Sequence, residues 1–231
     1  MSKQIAYSSL LAVGCLVAVY APTFVLVSLL IASGVLGTFS KNEAQLVAIP
    51  LVIVISMAIA LAIMVVLARR RGATLAAYGF KTTKLRYLAL AIGLGLLCAF
   101  GLRTLIWILP IHRSLDMGDL QKWQVILYFW IAAPIQEEII FRGFLQLVLE
   151  MRHPVVIQLG NFKLSFAVLV SALLFAAVHI ATGRLGASLS EVLFIVFGAF
   201  ALGILAGWLR WKSGSLFPGI LVHALFNILA G

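Results

Sequence analysis

Pro134-Ile135-Gln136-Glu137-Glu138-Ile139-Ile140-Phe141-Arg142-Gly143-Phe144 is the stretch that decides how this chain is organised. It places two adjacent acids and an arginine in the middle of a segment that is otherwise apolar enough to lie in lipid. An ionised carboxylate in hydrocarbon costs several kcal/mol unless it is paired or hydrated. We therefore expect these acids to have a function.

Helical geometry puts the two acids on different faces of the helix. Glu138 and Arg142 are four residues apart and share a face, so they can neutralise each other. Glu137 is turned about 100° away from Glu138, because a helix has about 3.6 residues per turn. Nothing on its own helix satisfies Glu137, which therefore needs water or a polar partner from another helix.

The composition indicates a membrane protein. Of the 231 residues, 64% are hydrophobic and only 10% are charged, and the mean hydropathy is +1.16. Soluble domains have about 25% charged residues, so we predict an all-α fold, a polytopic transmembrane helical bundle. The formal charge of +10 comes mostly from loops between apolar runs. The tendency of membrane proteins to carry lysine and arginine in their cytoplasmic loops, the positive-inside rule, explains this charge better than nucleic-acid binding does. The expected partner is therefore the lipid bilayer, and no nucleic acid is expected to bind.

The apolar runs predict about seven spans, judged against the roughly 20 residues that a bilayer requires. The predicted spans are about 5–33, 44–68, 87–110, 123–149, 164–181, 189–209 and 215–230. If the N-terminus is cytoplasmic, most of the lysines and arginines in loops lie on the cytoplasmic side of the membrane, as the positive-inside rule predicts. No linker separates a second domain, so residues 1–231 are expected to be a single membrane domain. Gly203 and Gly207 form a small-x-x-x-small pair, which predicts close approach of the sixth span to a neighbour.

Three more polar residues in apolar segments can meet Glu137. His179 closes the predicted fifth span, and His223 and Asn227 lie four apart on one face of the last helix. Intramembrane polar residues generally face the interior of a bundle, where they can converge. We therefore predict one polar site buried among the last four spans. The alternative is a set of separate structural contacts.

Two kinds of hydrolytic site fit these residues. In the first, a carboxylate and an imidazole activate water, while a second imidazole and a carboxamide stabilise the oxyanion. In the second, Glu137, His179 and His223 bind a zinc ion with one position left for water. No serine or cysteine lies beside a base in these segments, so a covalent nucleophile is poorly supported. The residues themselves leave both sites open.

The order of these motifs resembles that of a known family, the CAAX-prenyl-protease and bacteriocin-processing (CPBP, or Abi) family of intramembrane peptidases. The resemblance rests on Glu137-Glu138-x-x-x-Arg142, Phe175-x-x-x-His179, Phe200-x-x-Gly203 and His223-x-x-x-Asn227, and it covers about 120–231. Helices in the range of about 1–110 carry no recognised signature. The resemblance implies an endopeptidase that cuts a peptide or protein substrate in or near the membrane, including lipid-anchored, CAAX-type or leader substrates.

The resemblance also implies roles for the site residues. Glu137 and His179 would activate water, and His223 and Asn227 would stabilise the oxyanion. Arg142 would hold Glu138 as structural support. Both metal-dependent and metal-free glutamate mechanisms have been argued for this family. No cofactor is favoured here, and zinc held by Glu137, His179 and His223 is the alternative.

Two other functional classes use the same polar residues. The first is a non-catalytic bacteriocin-immunity or binding protein that keeps the pocket for recognition. The second is a transporter with a proton relay. The chain lacks two matching halves with Gly- or Pro-broken helices, which counts against a transporter.

Overall fold

Seven helices make up most of the described chain in a computed structural model, which describes residues 2–35, 37, 41–109, 120–185 and 187–230. The helices are α1 Ser2–Ala32, α2 Lys41–Arg70, α3 Leu85–Ile108, α4 Lys122–Arg152, α5 Phe166–Val178, α6 Leu189–Ser213 and α7 Phe217–Ala230. Each predicted span corresponds to one of them. The all-α helical bundle predicted from composition is therefore confirmed.

Five of the helices have the length and composition of membrane spans: α1, α2, α3, α4 and α6. The apolar helices α5 and α7 are shorter than the roughly 20 residues of a full span. A 3₁₀ segment, His179–Leu185, follows α5 directly. The protein is thus an integral, multi-pass membrane protein, and the predicted count of seven spans stays a prediction.

Helix α4 carries the two acids and contains two π-helical stretches, Ile126–Ala132 and Ile139–Gln146. Pro134 lies between them and has no N–H to donate. The N–H of Ala133 donates to the carbonyl of Tyr128, five residues back. The α-helical register is therefore broken where the helix reaches the acids, and π-bulges of this kind are frequent at functional sites.

A short antiparallel hairpin joins α4 to α5, which the helical pattern did not predict. Its strands are β1 Val156–Leu159 and β2 Phe162–Ser165. Gly160 begins the two-residue loop at φ 59°, and type II′ hairpin turns favour glycine at this position. The side-chain hydroxyl of Ser165 then caps α5 by accepting a hydrogen bond from the N–H of Ala167.

Small residues bring α5 and α6 together, as the Gly203/Gly207 pair predicted. A Cβ added to Gly203 would lie 2.9 Å from the Cβ of Ala172, and one added to Gly207 would lie 2.9 Å from Cγ1 of Val168. Helix α3 approaches α7 in the same way, since a Cβ on Gly95 would lie 3.2 Å from the Cβ of Leu225. Close backbone approach lets neighbouring helices pack tightly around the polar side chains.

The N-terminal helices share one apolar core with the later ones. This core includes Ala12 and Val19 of α1, Ala60 and Met64 of α2, and Val222 of α7. The segment between α2 and α3 also contacts the start of α7, because the N–H of Leu216 donates to the carbonyl of Gly79 at 3.0 Å. The beginning of α7, which carries part of the site, is fixed by these contacts.

Candidate active site

Glu138 and Arg142 form the ion pair that their spacing predicts. Nη1 of Arg142 lies 3.2 Å from Oε1 of Glu138, and both side chains are 0% exposed. The guanidinium also lies over the ring of Phe175, 4.3 Å from its centroid. A buried charge pair of this kind is stabilised by its mutual attraction and by the aromatic face.

Glu138 is enclosed by two further groups, both on α7. Nδ1 of His223 lies 3.0 Å from Oε1. The other oxygen, Oε2, lies 2.8 Å from the place that a Cβ on Gly219 would occupy, in the first turn of α7. A helix N-terminus favours negative charge, so the start of α7 suits this carboxylate. A larger residue at position 219 would collide with it.

Glu137 has a different environment from its neighbour, because its side chain is 23% exposed. Its contact from another helix is again His223, whose Nε2 lies 3.5 Å from Oε2 of Glu137. His223 itself is buried. The imidazole therefore lies between the two carboxylates, with one ring nitrogen facing each acid.

His179 lies where α5 ends, and a backbone contact fixes its ring. Its Nδ1 is 2.7 Å from the carbonyl oxygen of Phe175. Since a carbonyl only accepts, Nδ1 carries a proton, and in the neutral ring Nε2 is then an acceptor. In the described part of the chain, no hydrogen bond or ion pair joins His179 to Glu137. The two residues predicted to activate water are thus not in direct contact.

Phe175 links the histidines to the arginine, a role that the sequence motif alone does not reveal. Its ring centroid lies 4.7 Å from that of His179 and 5.6 Å from that of His223. The ring of Phe141 packs edge-on against it at 5.1 Å. The spacing Phe175-x-x-x-His179 was the available signal, because it puts both rings on one face of the helix.

Asn227 contacts α4 instead of the carboxylates. Its Nδ2 donates to the carbonyl oxygen of Phe129 at 2.9 Å. The carbonyl of Phe129 would accept from the N–H of Ala133 in an α-helix and from that of residue 134 in a π-helix. Ala133 donates to Tyr128 instead, and Pro134 has no N–H. Asn227 therefore satisfies a carbonyl that Pro134 leaves free. Pro134 was the sequence signal for this contact.

A second group of polar residues, which the motifs did not predict, lies on α4 and its neighbours next to Glu137. Gln136 is 4% exposed, and its Nε2 donates to Oγ of Ser56 on α2 at 2.9 Å. It also donates to the phenol oxygen of Tyr20 on α1 at 3.3 Å. An amide next to an acid in an apolar segment was the signal, since a buried amide requires partners.

The enclosed side of α4 continues as a polar stripe beyond Arg142. Nε2 of Gln146 donates to Oε1 of Glu150 at 2.9 Å and to the carbonyl of Gly207 at 3.1 Å. Together with Glu138, these residues follow one another at steps of four. Through Arg142 and Gln146, the stripe packs against Gly203 and Gly207 of α6.

The residues of the possible zinc set do not fit a single ion in this arrangement. Nε2 of His223 lies 3.5 Å from Oε2 of Glu137, but no hydrogen bond or ion pair joins either of these residues to His179 in the part of the chain that the structure describes. Within the described ranges, no three His, Cys, Asp or Glu side chains are grouped so that they could hold one ion.

Comparison with protein-family models matches residues 119–229 to a family described as type II CAAX prenyl endopeptidase Rce1-like. No curated protein and no solved structure matches the chain. The matched range contains Glu137, Glu138, Arg142, and every histidine and asparagine described above. Residues 119–229 are therefore similar to the Rce1-like type II CAAX prenyl endopeptidases, the kind of domain that the order of the motifs implied.

Proposed function

We propose that the protein is an intramembrane endopeptidase that hydrolyses a peptide bond in a membrane-proximal or lipid-anchored substrate, of the CAAX type that the name of the matched family specifies. One observation carries the proposal. Of two adjacent acids on α4, Glu138 is enclosed and paired, whereas Glu137 is 23% exposed and free to meet water. A general base must reach the proton that it removes, and Glu137 is the acid that satisfies this condition.

Glu137 and His179 hold the attacking water in this mechanism. Nε2 of His179 is an acceptor, because its Nδ1 proton is given to the carbonyl of Phe175. One water molecule between the two side chains can donate one hydrogen to each of them. As the water oxygen bonds to the peptide carbonyl carbon, Glu137 takes a proton, which then passes to the departing amine.

His223 supplies the positive charge that balances the site. A neutral imidazole has a single N–H and cannot donate to both carboxylates, whereas an imidazolium can. Its nitrogens lie 3.0 Å from Glu138 and 3.5 Å from Glu137. With Arg142, a protonated His223 makes the cluster electrically neutral, which burial in an apolar bundle favours. Its Nε2–H is also the charged donor closest to a carbonyl that enters beside Glu137, where it would stabilise the oxyanion.

Asn227 is the second donor in this proposal. A carboxamide has two N–H hydrogens, and the contact with Phe129 uses one of them. That contact fixes the plane of the side chain and leaves the second hydrogen for the substrate. Asn227 lies one turn after His223 on α7, so both donors approach from the same helix.

The proposed topology places the N-terminus in the cytoplasm. The basic residues of the segment between α2 and α3 and those at the end of α6 then lie on the inner side of the membrane. Tagging each terminus and testing protease access in sealed vesicles of known orientation is a direct check. Access to the N-terminal tag from the outer face would contradict this orientation.

The activity itself is tested with purified protein reconstituted in liposomes and a farnesylated peptide that ends in a CAAX sequence. Mass spectrometry should detect a pair of fragments whose masses correspond to hydrolysis of one peptide bond. Protein-free liposomes and the same peptide without the farnesyl group are the controls. Binding of the farnesylated peptide without any cleavage would contradict the proposal and indicate a binding protein.

A further inference from the structure

One end of the helical bundle carries a concentrated positive charge. The connection between α2 and α3, with the adjoining helix ends, contains six exposed basic residues: Arg69, Arg70, Arg71, Lys81, Lys84 and Arg86. Residues 69–86 contain no aspartate or glutamate. In the described part of the chain, none of the six forms an ion pair, and Glu150 at the end of α4 is half-buried and bonded to Gln146. Uncompensated positive charge on a surface attracts anions.

Two contacts join this charge to the ends of α4 and α6. Nη1 of Arg71 lies 3.0 Å from Sδ of Met151, one residue before α4 ends. Nζ of Lys81 lies 2.8 Å from the place that a Cβ on Gly214 would occupy, at the C-terminal cap of α6. Lys212 is exposed in the last turn of the same helix. We call the six residues and Lys212 the basic end of the bundle.

Apolar side chains are exposed among these charges. Phe80 is 37% exposed and Leu85 is 79% exposed, and they flank two of the lysines along the chain. Nζ of Lys212 lies 4.1 Å from the ring centroid of Trp211, and tryptophan is enriched at the level of lipid headgroups. A dissolved anion would leave Phe80 and Leu85 in water, whereas a membrane surface covers them and presents phosphate groups to the lysines. The basic end therefore suits anionic lipid better than a soluble anion.

Hydrogen bonds attach the basic end to the start of α7. Oγ of Ser215 donates to the carbonyl oxygen of Lys81 at 2.6 Å and accepts from the N–H of Phe217, the first residue of α7. The first turn of α7 in turn places Gly219 against the carboxylate of Glu138. A ligand that holds Lys81 in place therefore also holds the beginning of the helix that carries part of the site.

We propose that the basic end binds the phosphate groups of anionic phospholipids, and that the bound lipid stabilises the attachment of residues 77–81 to the start of α7. Phosphate oxygens accept charge-assisted hydrogen bonds from lysine and arginine. Salt screens this attraction, so the binding should weaken as the ionic strength rises. A lipid that binds the folded protein raises its stability. The binding itself does not depend on peptidase activity.

The test compares the Tm of the reconstituted protein in vesicles of phosphatidylcholine alone and in vesicles that also contain phosphatidylglycerol. We expect phosphatidylglycerol to raise the wild-type Tm by about 3–6 °C when it is present at about ten times its Kd. Lys81→Gln/Lys84→Gln should reduce this rise by about half or more, because two charges of the basic end are lost. The hydrogen bond from Ser215 uses the backbone of Lys81 and stays.

Lys41→Gln/Lys122→Gln is the matched control. It removes the same charge at the starts of α2 and α4, the opposite ends of these helices, and should keep the full rise. An equal rise in Lys81→Gln/Lys84→Gln overturns the inference. An equal rise on adding inorganic phosphate to the phosphatidylcholine vesicles also overturns it, because that result indicates a site for free anions.

Fluorescence quenching gives a second readout, which leaves the basic residues intact. Phosphatidylglycerol brominated near the headgroup should quench Trp211 more strongly than phosphatidylcholine brominated in the same way, since Trp211 lies against Lys212. The Trp211 signal is the part of the emission that is lost in Trp211→Phe. Equal quenching by the two lipids overturns the inference. A protein that shows both lipid effects but cleaves no peptide keeps this inference and loses the proposed function.

Discussion

Two adjacent carboxylates on α4, Glu138 and Glu137, share His223 as a neighbour but differ in exposure and in their other contacts. Glu138 is 0% exposed and lies against Arg142, His223 and the first turn of α7. Glu137 is 23% exposed, and its ion-pair contact, with His223, is the longer one at 3.5 Å. A rotation of one residue on a helix is thus enough to give one acid a structural environment and the other an accessible one.

This difference shows how a functional acid in an apolar helix can be distinguished from a structural one. Carboxylates in lipid are costly whether they catalyse or not, so their presence alone does not separate the two cases. Pairing does separate them. An acid whose charge is balanced by a buried arginine can be fully enclosed, whereas an acid without such a partner needs contact with water. Substitutions beside the enclosed acid should therefore affect stability, and substitutions beside the accessible acid should affect turnover.

Arg142→Ala should act mainly on folding. It leaves Glu138 enclosed without its partner, and breaking a buried pair costs about 3–5 kcal/mol. We expect low yield and a lowered Tm in thermal unfolding measurements. Arg86→Ala is the control, since Arg86 is exposed and contacts Tyr87. A stable but inactive Arg142→Ala would contradict the structural role and assign Arg142 to the chemistry.

Much of this arrangement could be predicted from the sequence, because it depends on regular helices. Apolar runs predicted each helix, the spacing of four predicted the Glu138–Arg142 pair, and the small residues of α6 predicted its close packing on α5. These features follow from local geometry and need no knowledge of how the helices are rotated against one another.

The contacts of His223 and Asn227 could not be predicted in the same way. The sequence placed both on one face of α7, but their partners depend on the packing of α7 against α4. The π-helical stretches of α4 shift that register, and Pro134 frees the carbonyl that Asn227 then satisfies. The hairpin after α4 was missed because span prediction searches for long apolar runs and overlooks short alternating strands.

Asn227→Ala should lower kcat by roughly 10²-fold with little change in KM, as removal of an oxyanion donor does. Steady-state kinetics on the reconstituted enzyme measure this. Asn161→Ala, in the exposed loop of the hairpin, is the control. An Asn227→Ala enzyme with wild-type kcat would limit Asn227 to its structural contact with Phe129.

Gly219→Ala should disturb the enclosed carboxylate. The new Cβ would lie 2.8 Å from Oε2 of Glu138, and overpacking of this kind costs about 1–3 kcal/mol. Gly101→Ala on α3 is the matched control, because nothing lies within 4 Å of a Cβ there. We expect a lowered Tm for Gly219→Ala and an unchanged or raised one for Gly101→Ala. Equal Tm values would show that Glu138 has more room than its contacts indicate.

Metal removal is expected to have no effect, the smallest change in this series. In the described residues, Glu137, His179 and His223 are not grouped closely enough to hold one ion. Turnover should therefore persist after treatment with a zinc chelator. Elemental analysis of the treated protein checks that it is free of zinc while it is active. Stoichiometric zinc whose removal and return switch the activity off and on would contradict the metal-free mechanism.

Measuring kcat and Tm together for Glu137→Gln and Glu138→Gln separates the two roles. The accessible acid is expected to do the chemistry, and the enclosed acid is expected to stabilise the fold. Both replacements are nearly isosteric and differ only in which carboxylate they remove. We predict that Glu137→Gln keeps the wild-type Tm and loses about 10²–10⁴-fold in kcat, whereas Glu138→Gln has a lowered Tm. Wild-type turnover by a folded Glu137→Gln would contradict the account.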